Sequence, residues 1–297
     1  MRRRIALAAT ALIAPALAMA TPAPAQAAPA TAHATAAAPR AVPSGPVDAL
    51  RRQFAKRTTV RVDEVARLIL DHDDLLSYRQ SGVVRFGKTG VDAYDLRTSG
   101  VTGSGNSTVL RTIKVDGKVY LKSALYDDLL PAGRTWIRTS TDGDGVTSSM
   151  IDVLRPKVLA AVLATTKSKS PAGRIGGSPT VLLQGSITLA QLAKVSPDAG
   201  AVAKMYKVKK TVKLPWKLWI GADQLPRRFA STFPLTFSAK APNLSTATDS
   251  RFAAWGGKVA ITAPPADLVI DEEDIETDIP VPDDFTTTIT KLAARER

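Results

Sequence analysis

The chain reads as mainly antiparallel β with a few helices, an α+β protein. Three observations lead there. From residue 58 onward, short runs alternate apolar and polar residues with period two. Turn-forming pairs separate the runs, the sharpest being Asp116-Gly117 between TVLRTIKV and KVYLKS. Helical spacing surfaces only in a few stretches, so strands do not alternate regularly with helices as a parallel sheet would require.

The N-terminal segment comes first. Arg2, Arg3 and Arg4 make a positive start, the apolar run Ile5 to Ala20 follows, and Ala18-Met19-Ala20 and Ala25-Gln26-Ala27 both fit small-residue cleavage sites. A membrane anchor wants about 20 uninterrupted apolar residues. This run is shorter and carries Pro15, so residues 1–27 are expected to be a secretory signal peptide, cut after Ala20 or Ala27. Residues 28–46 are almost all Ala, Pro, Thr and Ser, with too little apolar bulk to offset their ordering entropy, and read as a tether.

One domain is expected over 47–268. Val47, Leu50 and Phe54 have helical spacing, which predicts a short helix over 47–56. Strands follow at Thr58–Leu70, Leu76–Phe86 and Gly90–Thr98, with Asp71-His72-Asp73-Asp74 as a polar turn. Thr108–Val115, Lys118–Ser123 and Arg134–Thr139 come next. Ser148 to Thr166 predicts the main helix, interrupted by Pro156 and apolar on nearly every side from Val158 to Leu163. A helix apolar all round must be buried all round. Val181–Ile187 reads as a strand, then Thr188–Val195 and Asp198–Tyr206 as short helices with Thr188 as a cap. Thr211–Gly221, Arg227–Phe237, Asp249–Trp255 and Val259–Thr262 read as the last strands, the final pair joined by Gly256-Gly257. From 269 to 297 an acidic, Pro-containing tail is expected.

Composition narrows the function. No cysteine occurs, which excludes an N-terminal lipid-bearing cysteine, disulfides and thiolate metal sites. The expected location is secreted or extracytoplasmic, in the cell envelope, without a lipid anchor. Lys and Arg total 40 against 27 acids. Residues 41–270 carry a net charge of +15 and residues 271–297 a net charge of −6. A basic body favours an anionic membrane or cell-wall surface, or is simply a solvated surface. Export argues against nucleic acid.

Catalytic patterns are missing. Of the two histidines, His33 lies in the tether and His72 in the polar turn, where Asp71–Asp74 fit either a metal or a solvated turn. No Gly-x-Ser-x-Gly elbow occurs. Thr141–Gly145 begins like a calcium loop but lacks the later acid, and the Gly-rich stretch 173–179 has no following Gly-Lys-Ser/Thr. Neither a catalytic residue, a metal nor a cofactor is expected, and the chain is not read as an enzyme. Lys204, Lys207, Lys209 and Lys210 form the densest basic stretch, either an anionic head-group contact or a solvated edge strand whose lysines discourage pairing.

Several pieces recur together. They are Val115-Asp116-Gly117-Lys118-Val119-Tyr120, Leu130 to Ile137 (LPAGRTWI), Leu218 to Arg228 (LWIGADQLPRR) and Trp255 to Ala266 (WGGKVAITAPPA). In this order and spacing, over most of residues 58–268, the chain resembles the LppX/LprG-like envelope proteins of actinobacteria, as a non-lipidated secreted relative. The resemblance implies a strongly curved half-barrel sheet wrapped over central helices, similar to the LolA and LolB lipoprotein carriers. It also implies an apolar cavity between sheet and helices that accepts acyl chains. Here Val158, Leu159, Val162 and Leu163 would line it. The function expected is a monomeric binder or carrier of a lipid or other apolar ligand. The alternative is a non-catalytic envelope module that binds an anionic wall polymer or a protein partner.

Overall fold

Tight hairpins and one long-range pairing set the sheet. The computed structural model describes residues 45–101, 107–139, 146–147, 149–205, 209–235 and 243–275. Its elements are α1 (Pro46–Ala55), β1 (Thr59–Leu70), β2 (Asp73–Phe86), β3 (Val91–Val101), β4 (Ser107–Val115), β5 (Lys118–Ser123) and β6 (Trp136–Thr139). Then come α2 (Pro156–Leu163), β7 (Thr166–Ile175), β8 (Ser178–Thr188), α3 (Leu189–Ala193) and α4 (Pro197–Met205). The chain continues with β9 (Lys213–Gly221), β10 (Pro226–Pro234), β11 (Leu244–Gly257) and β12 (Val269–Asp271). All twelve strands join one curved sheet in the order β12-β6-β5-β4-β3-β2-β1-β11-β10-β9-β8-β7. Its two edges, β12 and β7, do not pair, so the sheet stays open. Every neighbouring pair is antiparallel except β12 beside β6.

The turns follow from backbone chemistry. Asp71 and His72 both have positive φ, 46° and 85°, and Leu70 faces Asp73 across them. That is the two-residue loop whose twist suits a hairpin. His72 is therefore a turn residue, and the Asp71 carboxylate accepts the Asn243 amide at 2.9 Å. Asp116-Gly117 and Gly176-Gly177 turn the chain in the same way. The Gly-rich stretch 173–179 is thus the β7–β8 hairpin.

Period two puts one set of side chains on each face. The helix-side face buries Val60, Val62, Leu68, Val84, Phe86, Leu218 and Phe252 against Leu50 and Phe54 of α1, Val158 and Leu159 of α2, and Leu189 and Leu192 of α3. Phe54 stacks on Phe86 at 4.7 Å, and Phe86 on Trp255 at 5.8 Å. The opposite face carries a smaller cluster of Ala93, Ile113, Val115, Tyr120 and Trp136, covered by Ile261. Residues 258–268 reach it as a strap from β11 across to β6. Arg134 ties the strap down by donating to the carbonyls of Asp267 at 2.7 Å and Val269 at 3.0 Å. Beyond it Arg138 grips Asp271 with two hydrogen bonds, which hold that carboxyl below its ordinary range. The first residues of the acidic stretch thus belong to the sheet.

Three sequence expectations change. The helix expected over 148–166 shrinks to α2, because Pro156 occupies its first turn and forces Arg155 into extended geometry. Ile151, Val153 and Leu154 enter the core from irregular backbone instead. Thr166, expected to end that helix, and residues 167–175, read as no element, form β7. The strand expected over Val259–Thr262 is the strap: β11 runs on to Gly257, and Val259 stays 49% exposed while Ile261 is buried. Thr141–Gly145 lies outside the described residues.

Candidate functional site

The site is set by where α2 stops. At its start, Asp152 accepts the Leu154 amide at 2.9 Å and pairs with Arg155 at 3.3 Å, which also reaches Asp198 of α4 at 3.3 Å. Burial pushes the Asp152 carboxyl up, against the pull of that amide and of Arg155. Val158, Leu159 and Val162 are fully buried in the core. Ala160 is exposed, so the helix is not buried all round as its composition predicts.

The C-terminal end of α2 touches the sheet at one spot. Thr165 donates its hydroxyl to the Val162 carbonyl at 2.8 Å and accepts the indole N–H of Trp216 at 3.1 Å. Trp216, on β9, faces Gly185 on β8. A Cβ at Gly185 would lie 2.2 Å from the Thr165 carbonyl oxygen and 2.5 Å from the Trp216 ring. Glycine is what lets the helix end and the indole come down together here.

Beyond that contact the helix-side face of β8 is only half-buried, while Leu218 and Ile220 beside it on β9 stay in the core. Leu183 and Val181 on β8 and Ile220 on β9 continue the same face past Gly185 and Trp216. With Leu163 from the last turn of α2 and Pro46 from the first turn of α1, they enclose a pocket of about 340 Å³. That volume falls in the range of small-molecule sites, which are apolar clefts with few polar groups. Lys169 is the one charged side chain among the described residues that line it. It stands opposite Leu183 in the β7–β8 ladder, hence on the same face. β7 is an edge strand, exposed along nearly its whole length, and forms the outer rim.

Of the four residues expected at a cavity, Leu163 borders this pocket, while Val158, Leu159 and Val162 are buried in the core. The expected basic contact divides differently. Nothing is described for the Lys204 side chain or for Lys207. Lys209 and Lys210 are exposed just before β9. The pocket sits at the far end of β9, about 25 Å along the strand, and β9 is an interior strand rather than an edge. Lys169, which sequence reasoning missed, is the cation at the pocket. Only its place in an unrecognised strand could have pointed to it.

Titratable groups do not gather at the pocket. Glu64, 1% exposed on the helix-side face, accepts the Ser250 hydroxyl at 2.5 Å. Among the described residues no three His, Cys, Asp or Glu side chains cluster as a metal site would, and no helix is long and apolar enough to cross a membrane.

No protein-family profile matches the chain. No curated protein sequence matches it either. Solved structures similar to it include the following two. LprF from Mycobacterium bovis is 16% identical with a TM-score of 0.43, over 74% of this chain and 96% of that one. A LolA superfamily protein from Nitrosomonas europaea is 10% identical with a TM-score of 0.25, over 72% of this chain and 93% of that one. On its own geometry the chain is a curved, open, mainly antiparallel sheet over central helices, the architecture expected of an LppX/LprG-like protein.

Proposed function

We propose that the chain is an exported binding or carrier protein for a lipid or other apolar molecule, acting in or outside the bacterial cell envelope. The observation that carries this reading is the apolar pocket between Leu163, Val181, Leu183 and Ile220, open at the rim formed by β7. Each methylene buried there contributes about 0.8 kcal/mol. A run of ten would give about 8 kcal/mol before the cost of immobilising the chain, so the driving force for binding needs no polar motif. Lys169 at the rim suits an anionic head group left in water. The signal-like residues 1–27 and the absence of cysteine support export without a lipid anchor, and the tether 28–46 would give the domain 47–268 reach from its surroundings.

The test is native mass spectrometry of protein purified from its own host without detergent, followed by organic extraction. A one-to-one adduct that extraction releases as an apolar species is the expected result. A chain that is always ligand-free, and that takes up no sixteen-carbon fatty acid when offered it, would contradict the reading.

A further inference from the structure

The sheet face away from the helices holds a second concave surface. There Ala230, Ala247 and Ala253 make a low floor, and Arg61, Lys217 and Arg251 stand around it in an open trough of about 850 Å³. Small residues at the centre and long basic ones at the sides are what give the trough depth. Its acids are already engaged. Asp63 takes Arg79 at 2.9 Å, Asp249 takes the Arg228 Nε at 2.8 Å, and Arg67 leans on Asp74 at 3.5 Å. Arg228 is further held over the Trp219 ring at 4.6 Å. Arg61, Lys217 and Arg251 have no carboxylate partner among the described residues. Arg251 lies in register between Asp63 and Arg228, so its neighbours are a committed acid and a like charge. Uncompensated cations side by side in a concavity raise the local potential and attract anions.

We infer that this trough binds a linear polyanion with repeating phosphodiesters and no aromatic bases. Arg61 on β1 and Lys217 on β9 are three strand spacings across and four residues along the ladder from each other, about 20 Å, too far for one phosphate to bridge but within reach of a chain. The aromatic residue lining the trough, Trp216, turns its indole to Thr165 on the helix side and is 2% exposed, and the Trp219 ring beside Arg251 is already covered by Arg228, so bases find no free stacking platform. A planar membrane would meet the rim and miss the floor. The trough lies on the opposite face from the apolar pocket and does not depend on the carrier reading.

The experiment titrates the full chain with fluorescently labelled poly(glycerol phosphate) over a series of salt concentrations. It compares the variant Arg61→Gln/Lys217→Gln/Arg251→Gln with a charge-matched control, Lys88→Gln/Lys157→Gln/Lys194→Gln. Both lose three positive charges at exposed positions. The trough variant is expected to bind at least about tenfold more weakly, with a slope of log affinity against log salt shallower by about 2. The control keeps the wild-type slope. Lys217→Gln alone, read by the same slope, gives a shift of about 0.7 if the triple variant is unstable. Equal losses in both triple variants, or no binding by the wild type, would overturn the site. A thymidine oligonucleotide or phosphatidylglycerol vesicles bound as tightly, through the same three residues, would overturn the choice of partner.

Discussion

Replacing Val181 and Leu183 together by Trp is expected to remove the proposed apolar-ligand binding while leaving the protein folded. Both side chains are only half-buried and line the pocket, Leu183 also packing against the edge of the core. Two indoles placed there occupy the space left for a guest hydrocarbon, and because the rim is open they need not displace Ile220 or Leu163. The affinity for a fluorescent sixteen-carbon fatty acid is expected to fall at least about tenfold, or about 1.4 kcal/mol. The melting temperature should move by only a few degrees. Leu182→Trp is the matched control, because Leu182 pairs with Trp219 on the other face of the sheet and should bind like the wild type. Unchanged affinity in the double variant would place the ligand elsewhere.

Gly185→Ala should be among the most destabilising single-methyl changes in the chain. The added Cβ meets the Thr165 carbonyl at 2.2 Å and the Trp216 ring at 2.5 Å. The first is backbone and the second is a buried indole tied to Thr165, so neither yields cheaply. Overpacking of this kind costs about 3 kcal/mol, a melting-temperature drop of roughly 6–12 °C for a domain of this size. Relief requires the end of α2 to lift from the sheet, which moves Leu163 and reshapes the pocket, so ligand affinity should fall as well. Gly90 has nothing within 4 Å of an added Cβ and no positive φ. Gly90→Ala should stay within about 0.5 kcal/mol of wild type. A Gly185→Ala protein as stable as Gly90→Ala would mean that α2 does not dock where the geometry places it.

Much of the sheet was legible because its hairpins depend on residues that tolerate positive φ and its strands bury one face. Asp116-Gly117 announces β4 and β5, and Thr188 announces α3 as its cap, with Gln191 completing a capping box in the structure. β7 was not legible. Its TKSKSPAGRI sequence buries neither face, so nothing selects an apolar alternation. The strap misled in the opposite sense: Val259 and Ile261 alternate like a strand, yet Ile261 alone packs, on the outer cluster. The site was half visible for a related reason. Apolar residues at 181 and 183 look the same whether a helix covers them or leaves them half-open. What decides is the end of α2, fixed by Pro156 at one side and by the Thr165–Trp216–Gly185 contact at the other. Trp216, among the largest fully buried side chains, reads in sequence as one more strand residue.

Photoaffinity labelling with a diazirine-bearing palmitic acid, followed by peptide mapping, reports directly on where a guest chain sits. Label concentrated on Leu163 and on the β8 segment through Val181 and Leu183, and competed away by unlabelled palmitate, is the result expected. Label scattered over the surface, or none that palmitate displaces, would contradict a pocket that holds hydrocarbon beyond the end of α2.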